Sequence, residues 1–186
     1  TRFRNVTGVQ TCALPIWTNE IFEYHGEFAD FDRCGFGVKP VQKPHPPIYF
    51  SGLKDPKRSA DRIAKYGLSG WIGIQDTWEE IARWRKEIED ELGKIGKKLP
   101  ANFDMCSMIW FTITDEPTDQ TLNHKLSNLL IGTKQQITDN LKRFREAGMN
   151  MPLLWPPFPR LLDIPVKKTI DDLKVLANEI LPKVNA

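Results

Sequence analysis

The run Ile48-Tyr49-Phe50 is short, apolar and β-rich, and it stops at Ser51-Gly52. A small residue at a strand end lets a ligand, or another stretch of backbone, approach closely. A second bulky apolar group, Trp155-Pro156-Pro157-Phe158, follows the run Met151 to Trp155. In a β/α barrel the loop after a strand sits at the catalytic mouth, so Trp155 and Phe158 either shape a pocket for an apolar substrate or cover the barrel end. Other residue types point to less. The three histidines, His25, His45 and His124, have no metal-ligand spacing with Cys34 or Cys106, so no metal site is expected. The carboxylates Glu20, Glu23, Glu27, Asp30 and Asp32 read as a solvated acidic loop rather than as a pair fixed across a cleft. Lys54, Lys57 and Arg58 stand at a helix start, where they meet a phosphate or form an exposed charged face. No catalytic acid, base or nucleophile can be named.

The elements that would carry these residues alternate. Pro44, Pro46 and Pro47 hold an extended lead-in to a strand over 48–51. Asp55-Pro56 is an N-cap followed by proline at the first helical position, and Gly67 supplies the left-handed stop. Further strands are predicted over 69–74, 104–113 and 151–155. Helices are predicted over 77–92 (Thr77 and Glu80 forming a capping box), 120–130, 133–147 (Thr133 with Gln136, closed by Gly148) and 166–181. The last has an apolar face of Ile170, Leu173, Val175, Leu176, Ile180 and Leu181. Residues 93–100 and 156–165 read as linkers. Strand, helix and strand in this order build parallel sheets whose ligands sit at the carboxyl ends of the strands.

Three segments carry a family resemblance. KPVQKPHPPIYFSG with the following helix and YGLSGWIG is similar to the bacterial-luciferase-like flavin monooxygenases and their deazaflavin-dependent relatives. Trp17-Thr18-Asn19-Glu20 with Tyr24-His25-Gly26-Glu27-Phe28 resembles the lead-in of that family. Leu130 to Ile137 with Ala147-Gly148-Met149 resembles its helix before the last strand. The resemblance runs from Trp17 to the C-terminus. It implies an α/β fold, the C-terminal half of a TIM-like (β/α)8 barrel, with FMN or a deazaflavin coenzyme as cofactor. It implies Ser51 and Gly52 as cofactor contacts, with Gly70 and Trp71 at the next strand end. Trp71 has a second reading as core, and Ser51-Gly52 as a plain turn. Ile74-Gln75-Asp76 follows on a loop, where Gln75 lines the substrate pocket or is solvated. The chemistry implied is oxidation of a small organic substrate with reduced flavin and dioxygen, or hydride transfer with a deazaflavin, the protein supplying position and water exclusion. It leaves room for a flavin reductase as partner and implies a homo-oligomer for the full-length protein. Alternatives are another TIM-barrel activity, which needs an inward lysine or carboxylate, and a non-catalytic relative or supporting subunit without flavin.

Residues 1–16 stand outside that pattern. Val6 to Ile16, VTGVQTCALPI, matches the translation of a common short-read sequencing adapter. The expectation is therefore a non-native segment over 1–16 and a truncated barrel domain over 17–186. Of 26 Lys+Arg and 24 Asp+Glu, setting aside Arg2 and Arg4 leaves 26 − 2 = 24 basic residues, a neutral remainder. No basic stripe interleaved with aromatics supports a nucleic-acid partner. Cys34 and Cys106, without CxxC spacing, fit a cytoplasmic chain, and no apolar run approaches the roughly 20 residues of a membrane span. Four strands make about half a barrel. Its edges and one face of its sheet are expected to be exposed, so that alone it would aggregate, dimerise or open into a curved sheet.

Overall fold

The computed structural model describes residues 14–26, 30–35, 37–51, 55–74, 76–121, 129–156 and 164–185. They fall into two units, Thr1–Ile48 and Tyr49–Ala186.

In the first unit a helical turn over 14–18 precedes an antiparallel hairpin of β1 (Ile21–His25) and β2 (Asp30–Gly35). The sequence reading of this stretch as an acidic loop is corrected. Phe22 pairs with Cys34 and Tyr24 with Phe31, and those larger side chains hold the ladder. Glu23, Asp30 and Asp32 stay exposed on the strands, and Glu27 lies outside the described residues. At the turn end His25 Nδ1 lies 2.5 Å from Asp30 Oδ1. The Lys39 ammonium donates to the carbonyls of Ile16 (2.8 Å) and Asn19 (2.6 Å), tying the segment after the hairpin to the segment before it.

The second unit is a parallel β/α sheet: β3 (Tyr49–Ser51), α1 (Pro56–Tyr66), β4 (Gly70–Ile74), α2 (Trp78–Lys94), β5 (Asp104–Ile113), β6 (Leu129–Gly132), α3 (Lys134–Glu146) and β7 (Met151–Trp155). The closing helix runs as α4 (Val166–Val175), a π turn (Leu176–Ile180) and α5 (Leu181–Asn185). The widened turn comes just before Pro182, whose ring clashes with the carbonyl four residues back in a regular helix. All sheet pairings are parallel. A strand has two edges, and Trp110 pairs with both Leu129 and Trp155, so β6 and β7 lie on opposite edges of β5. β4 and β7 overlap along Cys106–Met108, so β4 is also opposite β7 and β6 follows β4 along one edge. The barrel order is thus β3-β4-β5-β7, part of a TIM-like (β/α)8 barrel, with β6 added beyond the end of β4.

The capping signals hold. Asp55 accepts from the Arg58 N–H (3.0 Å), and Gly67 takes φ 60. Thr77–Glu80 and Thr133–Gln136 form reciprocal capping boxes. Apolar positions then select the buried faces, Ile81, Trp84, Ile88 and Leu92 on α2 and Ile137, Leu141 and Phe144 on α3.

Two expectations hold only in part. Of the predicted helix over 120–130, Gln120 and Thr121 are helical, Leu129 and Leu130 open β6 instead, and 122–128 lies outside the described residues. Periodicity does not separate a short apolar run from a helix, and here the edge of β5 takes it. The Ile131 carbonyl accepts from Thr118 Oγ1 (2.6 Å) and Gln120 Nε2 (3.2 Å). On α4, Ile170 and Leu173 are exposed and Asp172 is buried. Its carboxylate accepts from Thr112 Oγ1 (2.8 Å) and the Ile113 N–H (3.0 Å) and pairs with Lys168 (2.6 Å). Polar groups at the end of β5 therefore set the rotation of the helix.

Candidate functional site

The sheet has two unlike faces. In register, Phe50, Trp71 and Met105 share one face, continued by Gly73, Ser107 and Ile109, and these are buried. Buried parallel strands are covered by their crossover helices, so this is the helix side. Asp76 belongs to it. Read from the sequence as part of the loop after this strand, it is 1% exposed and lies 3.5 Å from the Ser107 hydroxyl, which donates to its Oδ2. It turns back across Gly73, where a Cβ would fall 2.0 Å from the same carboxylate oxygen. Gly73 is thus the space that lets Asp76 reach β5 just before the Thr77 cap.

The other face is open, and on it stand Ser51, Ile72, Ile74, Met108, Leu153 and Trp155. Ile74 is 53% and Trp155 47% exposed, and Ser51 is also exposed. These three lie at the carboxyl ends of β3, β4 and β7, where barrels bind ligands. From β3 to β7 this mouth is roughly 14 Å wide, three strand spacings. Of the residues singled out in the sequence, the structure brings Ser51 and Trp155 to this end of the face. Gly52, Gln75 and Phe158 lie outside the described residues.

Gly70 and Trp71 sit at the opposite end. The sequence placed them at a strand end, but they open β4 and are buried. Trp71 belongs to the helix side. Gly70 lies under the Tyr49 ring, which crosses β4 to donate its hydroxyl to Asp104 Oδ2 on β5 (2.5 Å). Asn150 Nδ2 donates to Asp104 Oδ1 (2.9 Å), and Asn150 Oδ1 accepts from the Met105 N–H (2.8 Å). This polar layer closes the amino end of the open face. It escaped the sequence reading because its members are one strand apart in space but distant in the chain; the alternation of Tyr49 with buried Phe50 was the available signal.

The proton equilibria of that layer are shifted. Donation to Asp104 holds the Tyr49 phenol up at about 12, with burial and the nearby carboxylate charge acting the same way. A raised folded pKa stabilises the protein below about pH 10 and loses that contribution as pH rises towards 12. Ultraviolet titration should show one late tyrosinate, absent in Tyr49→Phe. Burial, followed by the Asp104 charge, pushes the Cys106 thiol to about 11. A thiol reagent at pH 8 is expected to leave Cys106 unmodified in the folded protein and to label it after denaturation, as mass spectrometry of the peptides would show.

At the mouth, the N-terminus of α1 offers little to an anion. Asp55 already accepts from the Arg58 N–H, Pro56 has no N–H, and Lys57 is paired with Asp61 (3.0 Å). Among the described residues no three His, Cys, Asp or Glu side chains converge, and no helix is long and apolar enough to cross a membrane.

No family profile matches the chain. An FMNH2-dependent dimethylsulfone monooxygenase of Pseudomonas putida is 25% identical over 176 residues, covering 73% of this chain and 48% of that protein. The chain spans about half the length of the curated relative it matches. A monooxygenase from Streptomyces bottropensis has the same fold, with a TM-score of 0.72 at 15% identity, covering 97% of this chain and 62% of that one. An F420-dependent secondary alcohol dehydrogenase, solved with an F420–acetone adduct, gives 0.68 at 17% identity over 98% of this chain and 64% of that one. The FMN-bound oxygenating constituent of 3,6-diketocamphane monooxygenase from Pseudomonas putida gives 0.60 at 12% identity, over 96% and 62%. The chain is thus similar in sequence to a flavin-dependent monooxygenase and shares its fold with flavin- and deazaflavin-dependent oxidoreductases.

Proposed function

We propose that this chain is part of a flavin- or deazaflavin-dependent oxidoreductase of the luciferase-like kind, acting on a small organic molecule in the cytoplasm. The observation that carries the reading is the convergence of Ser51, Ile74 and Trp155 at the carboxyl ends of one open face, in a fold shared with FMN- and F420-dependent enzymes. The residues present fit the ring of such a cofactor. They make an apolar, aromatic-bearing floor with one hydroxyl at its margin, as planar ligands require. FMN or a deazaflavin would supply the redox chemistry, oxygenation with dioxygen for the one and hydride transfer for the other. Ser51 would donate to a polar edge of the ring, with Gly52 allowing close approach, while Trp155 would stack or cap and, with Phe158 and Gln75, bound the substrate. Ile74, Met108 and Leu153 would exclude water. A flavin reductase is the partner this reading requires where FMN is the cofactor. Gly70 and Trp71 would support the site from below rather than touch it.

The titratable groups on the described open face, Tyr49, Asp104 and Cys106, lie towards its amino end, away from Ser51, Ile74 and Trp155. That also weighs against an aldolase-like barrel, since Asp104 is engaged by Tyr49 and Asn150 away from the mouth. A non-catalytic relative is favoured by one observation, the α1 N-terminus already being taken up by the Asp55 cap and Pro56, which leaves little there to hold an anion. Measuring Kd for FMN and for a deazaflavin separates the two. Ser51→Ala is expected to weaken cofactor binding about tenfold, the scale of one hydrogen bond to a bound group; unchanged affinity would remove Ser51 from the site. We further propose that residues 17–186 are the barrel portion and that 1–16 derive from an adapter. Long-read sequencing across the Trp17 codon tests this, and genomic DNA encoding Thr1 to Ile16 would refute it.

A further inference from the structure

We infer that Asp76 is a positioning residue for the mouth, a buried carboxylate that fixes the carboxyl end of β4 where the cofactor would lie. Its ligand is taken from the oxidoreductase reading, whereas the pin itself is built on the helix side of the sheet and is the same whatever covers the open face. Ile74 ends β4 on the open face and is 53% exposed. Two residues later the chain has crossed to the helix side, where Asp76 is 1% exposed and accepts from the Ser107 hydroxyl (3.5 Å). Ser107 stands opposite Gly73 in the register, so the carboxylate reaches back over the strand that the chain has just left. The next residue, Thr77, is fixed in turn: its N–H donates to the Glu80 carboxylate (3.0 Å) and its hydroxyl accepts from the Glu80 N–H (3.3 Å). The turn from strand to helix is thus held at both Asp76 and Thr77, directly behind Ile74.

Burial disfavours an anion unless fixed dipoles compensate it. Asp76 stands just before the cap of the 17-residue α2, whose free N–H groups favour negative charge there. Gly73 makes the space: an added Cβ would fall 2.0 Å from Asp76 Oδ2 and 2.4 Å from the Trp71 ring, so indole and carboxylate share the gap that the absent side chain leaves. For packing alone an apolar side chain would serve in that gap. A carboxylate bonded across to the neighbouring strand adds direction, and residues that meet a ligand keep their geometry only where such supports lock them.

The test is titration of FMN and of a deazaflavin into the protein expressed from its full reading frame, with amide hydrogen exchange measured on each variant. Asp76→Ala is expected to raise the Kd of the cofactor that binds about tenfold and to speed exchange at the end of β4 more than within α2. Asp76→Asn keeps an acceptor for Ser107 and should bring Kd back to within about threefold of wild type. Ile88→Ala, in the buried face of α2, should lower stability and leave the affinity of the folded fraction unchanged. Ser107→Ala removes the donor, should raise Kd about threefold, and carries the test if Asp76→Ala does not fold. Unchanged Kd in Asp76→Ala and Ser107→Ala, a rise in Ile88→Ala as large as in Asp76→Ala, or exchange that quickens throughout α2 as much as at the end of β4 would each overturn the inference while the wild type still binds. A wild type that binds neither cofactor would overturn the oxidoreductase reading and this inference with it, so the two failures are distinct.

Discussion

Asp172→Ala is expected to lower the stability of the protein by about 3 kcal/mol, read as a lower urea midpoint with an unchanged slope. The carboxylate is 5% exposed and accepts from the Thr112 hydroxyl and the Ile113 N–H, while Lys168 bridges its other oxygen to the Ile113 carbonyl. Removing it leaves two buried donors without an acceptor and the ammonium without its partner. Most of the cost comes from the donors, since Lys168 is half exposed and its pairing is screened. Asp172→Asn retains an acceptor for the donors and should cost only about 1 kcal/mol. Equal losses in the two variants would mean that the ion pair, and not the capture of the β5 end, holds the helix.

Gly70→Ala should cost about 3 kcal/mol by overpacking. The added carbon would lie 2.4 Å from the Tyr49 ring and 2.9 Å from the Asp104 carbonyl oxygen. The ring can move if its hydrogen bond is given up, but the carbonyl belongs to the neighbouring strand and cannot. Combined with Tyr49→Ala, the substitution should therefore recover only part of the loss, a non-additivity measurable in a double-mutant cycle. The same variant separates two accounts of Gly70. If the glycine admits the Tyr49 crossing, Gly70→Ala loses stability while the folded fraction keeps its cofactor affinity. Intact stability with lost affinity would place the cofactor at the amino end of the sheet.

What could be read from the sequence was what local chemistry decides. Asp55-Pro56, Thr77 with Glu80, Thr133 with Gln136 and Gly67 each mark an element boundary through bonds made within a few residues, and each boundary was found. The four barrel strands were also found, because their apolar runs are bounded by such signals. What could not be read depends on distant partners. Leu129 and Leu130 carry no mark distinguishing a strand from a helix end until the free edge of β5 is beside them. Asp172 interrupts an apolar stripe, and only the Thr112 hydroxyl and the Ile113 N–H make it the buried position. Ser51 and Trp155 were legible as candidates because strand ends are. Their shared face, and the removal of Gly70 and Trp71 to the other end, follow from register.

The measurement closest to the central claim is titration of FMN and of a deazaflavin into the protein expressed from its full reading frame, followed by tryptophan fluorescence. The account predicts saturable quenching by one of the two, with its amplitude reduced in Trp155→Phe and its Kd raised in Ser51→Ala. A folded protein whose fluorescence responds to neither cofactor would contradict it.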